Sequence, residues 1–223
     1  RTVDFSSHFV PATISGLVIP QAGVWLAALV MSASDVADLS IAVRFSFLLN
    51  LAFFVGQRVF GPRLAAAQGD LTTLEHDMRA YAAFAAAVAV VLGMGFVVLG
   101  RPLLRLAFGP EYLSAWLPLV LLSIGQIVTV WAGMGAMSLN YSGHPRVVGR
   151  LSVLGIVVFV PAALLGGWLG GAVGVAIPSA IVIGGQGILQ TRAVSRLLGV
   201  DIRPSFPALR EHLEGSTPGR SSR

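Results

Sequence analysis

Arg44 is the only charged residue between Leu39 and Gln57, so a guanidinium that stays ionised sits in an otherwise apolar run. It lies about five positions in from one end of that run, roughly 8 Å along a helix that rises 1.5 Å per residue. Two chemistries are open to it. The side chain can snorkel outward to lipid headgroups, or it can face a hydrated cavity and pair with an anionic group, a phosphate being the natural partner. Ser46, Asn50 and Gln57 fall on one face of the same helix, because offsets of four, seven and eleven residues return to within about 40°. Arg44 stands about 120° from Asn50 on that wheel. An amide face of this kind suits either interhelical hydrogen bonding or a polar lining. Gln21 and Gln126, each alone in the middle of an apolar run, have the same two readings, as does Gln186. The candidate substrate-contacting residues are therefore Arg44, Asn50, Gln57, Gln21 and Gln126.

Other chemistry is poorly provided for. The chain has no cysteine, which removes disulfides, thiolate metal sites and a thiol nucleophile. His8, His76, His144 and His212 have no partner at metal-ligand spacing. No nucleophile with a base, no carboxylate pair and no phosphate-cradling loop stands out, and Gly184-Gly185-Gln186-Gly187 lies within an apolar run. The expectation is no catalytic residue, no metal and no cofactor, and a protein that is not an enzyme.

The elements that must position these residues follow from composition. Of 223 residues 55% are hydrophobic and 11% charged, against about 25% charged in an ordinary soluble domain. The formal net charge of +5 and pI of about 11 could suggest a nucleic-acid partner, but a mean hydropathy of +0.81 argues against one. All 15 basic residues are arginine, which a GC-rich genome explains more readily than a need for guanidinium geometry. Spanning a bilayer takes about 20 apolar residues of helix, and six windows come close to that. They run over 10–31, 39–60, 80–99, 113–139, 151–169 and 172–190, and no aspartate or glutamate falls inside any of them. The fold class expected is all-α, a polytopic membrane domain over 1–200 followed by a cytoplasmic, mostly disordered tail over 201–223. With no carboxylate in the spans, a proton relay or sodium site is not expected in this part of the protein.

Arginine placement sets the orientation. If the chain starts in the cytoplasm, the inside segments hold twelve arginines: Arg1, Arg58, Arg63, Arg79, Arg146, Arg150 and six in the tail. The outside loops hold Arg101 and Arg105, and Arg44 lies within a span. The positive-inside rule then puts both ends of the chain in the cytoplasm. Ser32–Asp38 reads as a short acidic outside turn, and Arg101–Tyr112 as a half-apolar segment in the outer interface. Pro11, Pro20, Pro118 and Pro178 would kink or loosen their helices. Glycines at 166, 167, 170, 171 and 174 have the spacing of close helix approach, and a tight outer turn explains them equally well. Because the chain opens on Arg1, an upstream sequence is expected.

A family resemblance enters at this point. Ala42-Val43-Arg44-Phe45, Pro62-Arg63-Leu64-Ala65 with Gln68-Gly69-Asp70, and Gly100-Arg101-Pro102-Leu103-Leu104 with Phe108-Gly109-Pro110-Glu111-Tyr112 come in order along the chain. Asn140-Tyr141-Ser142-Gly143-His144-Pro145-Arg146 and Gly171-x-x-Gly174-x-Ala176 follow. Together they resemble the C-terminal half of a polysaccharide or lipid-linked oligosaccharide flippase of the multidrug/oligosaccharidyl-lipid/polysaccharide exporter superfamily, the outer-loop motif around Phe108–Tyr112 being the most specific.

The resemblance implies that the six helices form one bundle of a two-bundle carrier, with an N-terminal six-helix half as partner. The activity it implies is turning a polyprenyl-diphosphate-linked saccharide across the cytoplasmic membrane of a bacterium by alternating access, for surface polysaccharide synthesis. It also implies a cavity-facing role for Arg44, whose position is cationic in some members. The expected partners are the lipid-linked saccharide, membrane lipids and that upstream half, with no nucleic acid. Competing readings are a multidrug or cation exporter of the same superfamily, and a non-transporting scaffold for a polysaccharide or cell-division complex. A membrane enzyme acting on the same lipids is disfavoured, since no large outer loop carries a catalytic cluster.

Overall fold

The computed structural model describes residues 28–66 and 74–215, and every regular element among them is helical. Helix α1 spans Ala33–Ser46 and passes through a 3-10 turn, Phe47–Asn50, into α2, Leu51–Ala66. Helix α3 is Glu75–Ala107. A second 3-10 turn, Pro110–Ala115, leads into α4, Trp116–Ala132, which is followed by the short α5, Gly135–Tyr141. Helix α6 covers Pro145–Leu198 with a break inside it, and α7 is Phe206–Gly215.

Three helical stretches are long and apolar enough to cross a membrane: Glu75–Ala107, Pro110–Ala132 and Pro145–Leu198. Ala33–Asn50 and Phe53–Arg63, bent by 46°, make a fourth if the pair is one broken span. Between 28% and 44% of the most apolar window of each of the three is buried, so most of that surface is uncovered. Val91, Val98, Leu106, Trp168, Leu169 and Ile181 are all exposed, an arrangement that water does not tolerate over so large an area.

Helix boundaries depart from the hydropathy windows for local reasons. The second window was expected to begin at Leu39, with Ser32–Asp38 as a turn. Instead α1 starts at Ala33, because Ser32 caps it by accepting from the Asp35 backbone N–H at 3.2 Å while donating to the Asp35 carboxylate at 2.7 Å. Asp35 also complements the positive end of the helix dipole. Asp35 and Asp38 therefore belong to a helix, and Asp38 is buried. The window 113–139 is not one helix. It breaks at Gly133, whose φ of +82° favours glycine, and a Cβ there would lie 2.6 Å from the Ile202 carbonyl oxygen. The third window, 80–99, lengthens to 33 residues, about 50 Å of helix.

The last two windows join in α6, which reverses at Gly170–Gly171, where the backbone leaves helical geometry. Gly171 has φ +56° and packs beside the Asp35 carboxylate at the start of α1. Its two arms lie antiparallel: Gly166 meets Gly174 backbone to backbone, and Gln186 Nε2 donates to the Leu151 carbonyl at 3.4 Å. Turn and close approach thus both account for the glycines.

Two apolar clusters fill the interior. One holds Leu39, Leu49, Ala89, Phe96, Leu119, Leu122, Phe159 and Val175. The other, at the Leu198 end, holds Phe60, Met78, Met134, Leu139, Val194, Val200 and Ile202. Residues 201–215, expected as a frayed helix leading into a mostly disordered tail, include the helix α7 and are packed: Ile202 and Ala208 are buried, and the Ser205 N–H donates to the Arg79 carbonyl. Residues 216–223 and most of the window 10–31 lie outside the described residues.

Candidate functional site

The sequence candidates on α1 and α2 are separated by the 3-10 turn, which rotates the chain about 120° per residue instead of 100°. A wheel drawn for one straight helix therefore does not carry across Phe47–Asn50. Ser46 and Asn50 are buried, Gln57 is half-buried, and Arg44 is exposed. Arg44 closes the last turn of α1, where a cation meets the negative end of the helix dipole. It has no ion-pair partner among the described residues. Leu48, Leu51, Phe54 and Val55, between Arg44 and Arg58, are exposed as well, so the segment carries an apolar strip that no described residue covers, with a guanidinium near each end.

Asn50 and Gln126 are brought together and joined by a hydrogen bond. Asn50 Nδ2 donates to Gln126 Oε1 at 2.7 Å, with both residues about 95% buried. The pair ties the 3-10 turn to α4, as a polar clasp between helices does. Beside it lies an internal cavity of about 20 Å³, bordered by Val43, Ser46, Gln126, Phe159 and Ser179. That volume holds about one water. The two hydroxyls at its wall donate to their own helices, Ser46 to Val43 O at 2.9 Å and Ser179 to Val175 O at 2.7 Å. The amide pair is thus part of the packing between helices, while Arg44 points away from it. Gln21 lies outside the described residues.

Sequence reasoning passed over two threonines that matter to the same packing. Thr129 Oγ1 donates to Ile183 O at 2.9 Å across the interface of α4 with the second arm of α6, and to Gly125 O at 3.1 Å in its own helix. Thr191 donates back across the same interface to Ala132 O. The signal was present: Gly125 and Thr129, and Gly187 and Thr191, are four-residue pairs of small residues on facing helices. Buried Asp38 was also passed over, although Ser32-x-x-Asp35 is a capping signature that extends the helix past it.

Among the described residues no three histidines, aspartates or glutamates come close enough to hold a metal. The site consists, among the described residues, of one guanidinium without an ion-pair partner on an exposed apolar strip, backed by a helix interface held by the Asn50–Gln126, Thr129–Ile183 and Thr191–Ala132 hydrogen bonds. No protein-family model, curated protein or solved structure matches this chain.

Proposed function

We propose that the chain is a six-span membrane bundle, one half of a carrier that turns a polyprenyl-diphosphate-linked saccharide across a bacterial cytoplasmic membrane. The span count takes the two arms of α6 separately, the bent α1–α2 pair as one, α3 and α4 as one each, and the apolar residues 10–31 as the first. Each arm of α6, 145–169 and 172–198, has about 25 residues, or nearly 40 Å of helix, enough for a hydrocarbon core of about 30 Å. The charge pattern supports the orientation with both ends inside. Arg63 and Asp77, 3.7 Å apart, join the α2 and α3 ends near the tail, whereas Asp35 sits against the Gly171 reversal at the opposite end.

The observation that carries the reading is Arg44, exposed and without an ion-pair partner among the described residues, on an apolar strip beside the interface where Asn50 bonds to Gln126. A saccharide head cannot cross hydrocarbon unaided, so a hydrated path must shield it. That path forms where the uncovered strip meets a second bundle, and Arg44 then offers a fixed cation to the diphosphate. Rocking of two rigid bundles alternates the opening. An exporter of cationic drugs would be poorly served by a guanidinium at that position.

The test is a strain deleted for the full-length protein. Lipid-linked saccharide is expected to accumulate in the inner leaflet, with wild type restoring surface polysaccharide and Arg44→Ala, at equal protein level, failing to. Normal surface polysaccharide in the deletion strain would overturn the flippase reading; full rescue by Arg44→Ala would remove the arginine from it.

A further inference from the structure

A groove of about 410 Å³ lies between α4, the second arm of α6 and the 201–203 segment, and Arg44 is not among its lining residues. Its floor is apolar, from Ile127, Trp131 and Ile188, and its rim carries Arg192 and Arg203. Ile188 and Arg192 are one helical turn apart, so about 6 Å separates the apolar floor from the first guanidinium. Ile124 and Ile181, one and two helical turns before Ile127 and Ile188 on the same two helices, are exposed and apolar, whereas Arg192 and Arg203 lie at the rim. Trp131 is half exposed and braced by Phe206 of α7, ring centroids 6.0 Å apart. A tryptophan so placed suits the boundary between hydrocarbon and headgroups. Arg192 has no ion-pair partner among the described residues. Arg203 meets Asp201 at 4.0 Å, an exposed and loose pair that leaves the rim net positive. The Thr191 hydroxyl, also in the groove, is already committed to Ala132 and Gly187.

We propose that this groove binds one anionic phospholipid of the inner leaflet, its phosphate between Arg192 and Arg203 and the start of an acyl chain along Ile127, Trp131 and Ile188. An amphiphile with one negative head and an apolar tail matches both ends of the groove, and basic pockets between helices on the cytoplasmic side are suited to anionic headgroups. A soluble anion would leave the apolar floor unfilled, and a zwitterionic lipid would bring a headgroup cation to a rim that is already net positive. The inference rests on the membrane location proposed above and not on the identity of the transported substrate. It gives the chain a lipid co-ligand that braces α4, α6 and the tail segment where they meet.

The experiment uses the delipidated full-length protein in detergent, titrated in turn with phosphatidylglycerol, phosphatidylcholine and inorganic phosphate, with bound species counted by native mass spectrometry. Phosphatidylglycerol is expected to bind more tightly than phosphatidylcholine. An arginine near an anionic headgroup contributes about fivefold, so the double substitution Arg192→Gln/Arg203→Gln should weaken phosphatidylglycerol about thirtyfold. Ile188→Trp, which fills the floor and keeps both charges, should also lose the lipid, while Arg196→Gln, one turn beyond the groove, should not. Thermal melting in detergent checks that each variant is folded. Equal affinity for the two lipids, retention by both groove variants, or binding of inorganic phosphate in preference to lipid would overturn the proposal. Failure of the protein to fractionate with membranes would instead sink the membrane reading beneath it.

Discussion

The interface between α4 and the second arm of α6 and the outer side of α1–α2 are built on opposite plans. At the first, Gly125 approaches the Ala180 backbone so closely that a Cβ would stand 2.7 Å from the Ala180 Cα, Gly187 lies against Thr129, and Thr129 and Thr191 each donate across the gap. On the second, Leu48, Leu51 and Val55 project outward with arginines near both ends and nothing described over them. In lipid, burying an apolar side chain against another helix brings little, since the tails are equally apolar. Association then depends on small residues that let backbones touch and on hydrogen bonds across the contact. On the membrane reading proposed above, the small-residue surface closes, whereas the large-residue strip, whose side chains hold backbones apart, would be left for lipid or a second bundle.

That contrast can be broken most severely at the α6 hairpin. Gly166→Leu would drive a side chain into the Gly174 backbone, which has no flexible end to move aside. The expected outcome is loss of folded protein, read as absence of a monodisperse peak in detergent; a well-behaved, stable variant would disprove the close approach. Next in size, Gln126→Leu strands the Asn50 amide in an apolar interior and should cost about 1–2 kcal/mol in reversible unfolding in mixed micelles. A double-mutant cycle with Asn50→Leu should return a coupling of at least several tenths of a kcal/mol, and zero coupling would dissolve the clasp. Thr129→Val keeps the shape and removes the bond to Ile183, for about 0.6 kcal/mol by the same measurement. Smallest of all, Arg44→Ala should leave stability within about 0.5 kcal/mol, since the side chain is exposed and has no ion-pair partner among the described residues. A large loss there would show that the uncovered strip is part of the packing.

Much of the fold can be read from the chain before any coordinates. Uncharged runs near 20 residues mark the long helices, and the glycines around 170 mark the reversal between the arms of α6. Other boundaries were less legible, because hydropathy averages over a window while a helix ends on a single cap or a single dihedral. Ser32 begins α1 six residues earlier than the apolar run, and Gly133 interrupts a run that hydropathy treats as continuous. Residues 201–215 read as loose because their composition is polar and proline-rich, yet Ile202 finds a pocket against Gly133 and Met134.

The candidate site divides in the same way. Sequence alone determined which residues were unusual for an apolar environment: Arg44, Asn50 and Gln126 are conspicuous because their neighbours are not polar. It could not determine their partners, since Asn50 and Gln126 are 76 positions apart and the 3-10 turn alters the angle between Asn50 and Arg44. Only the tertiary structure decided that the two amides bond to each other and that the guanidinium is exposed, without an ion-pair partner among the described residues. The same holds for Arg192 and Arg203, which in the sequence count only toward orientation and in the fold share the rim of one groove. The physical reason is range: the cost of burying a charge is local and shows in composition, whereas pairing depends on which distant segments the packing of backbones brings within about 3 Å.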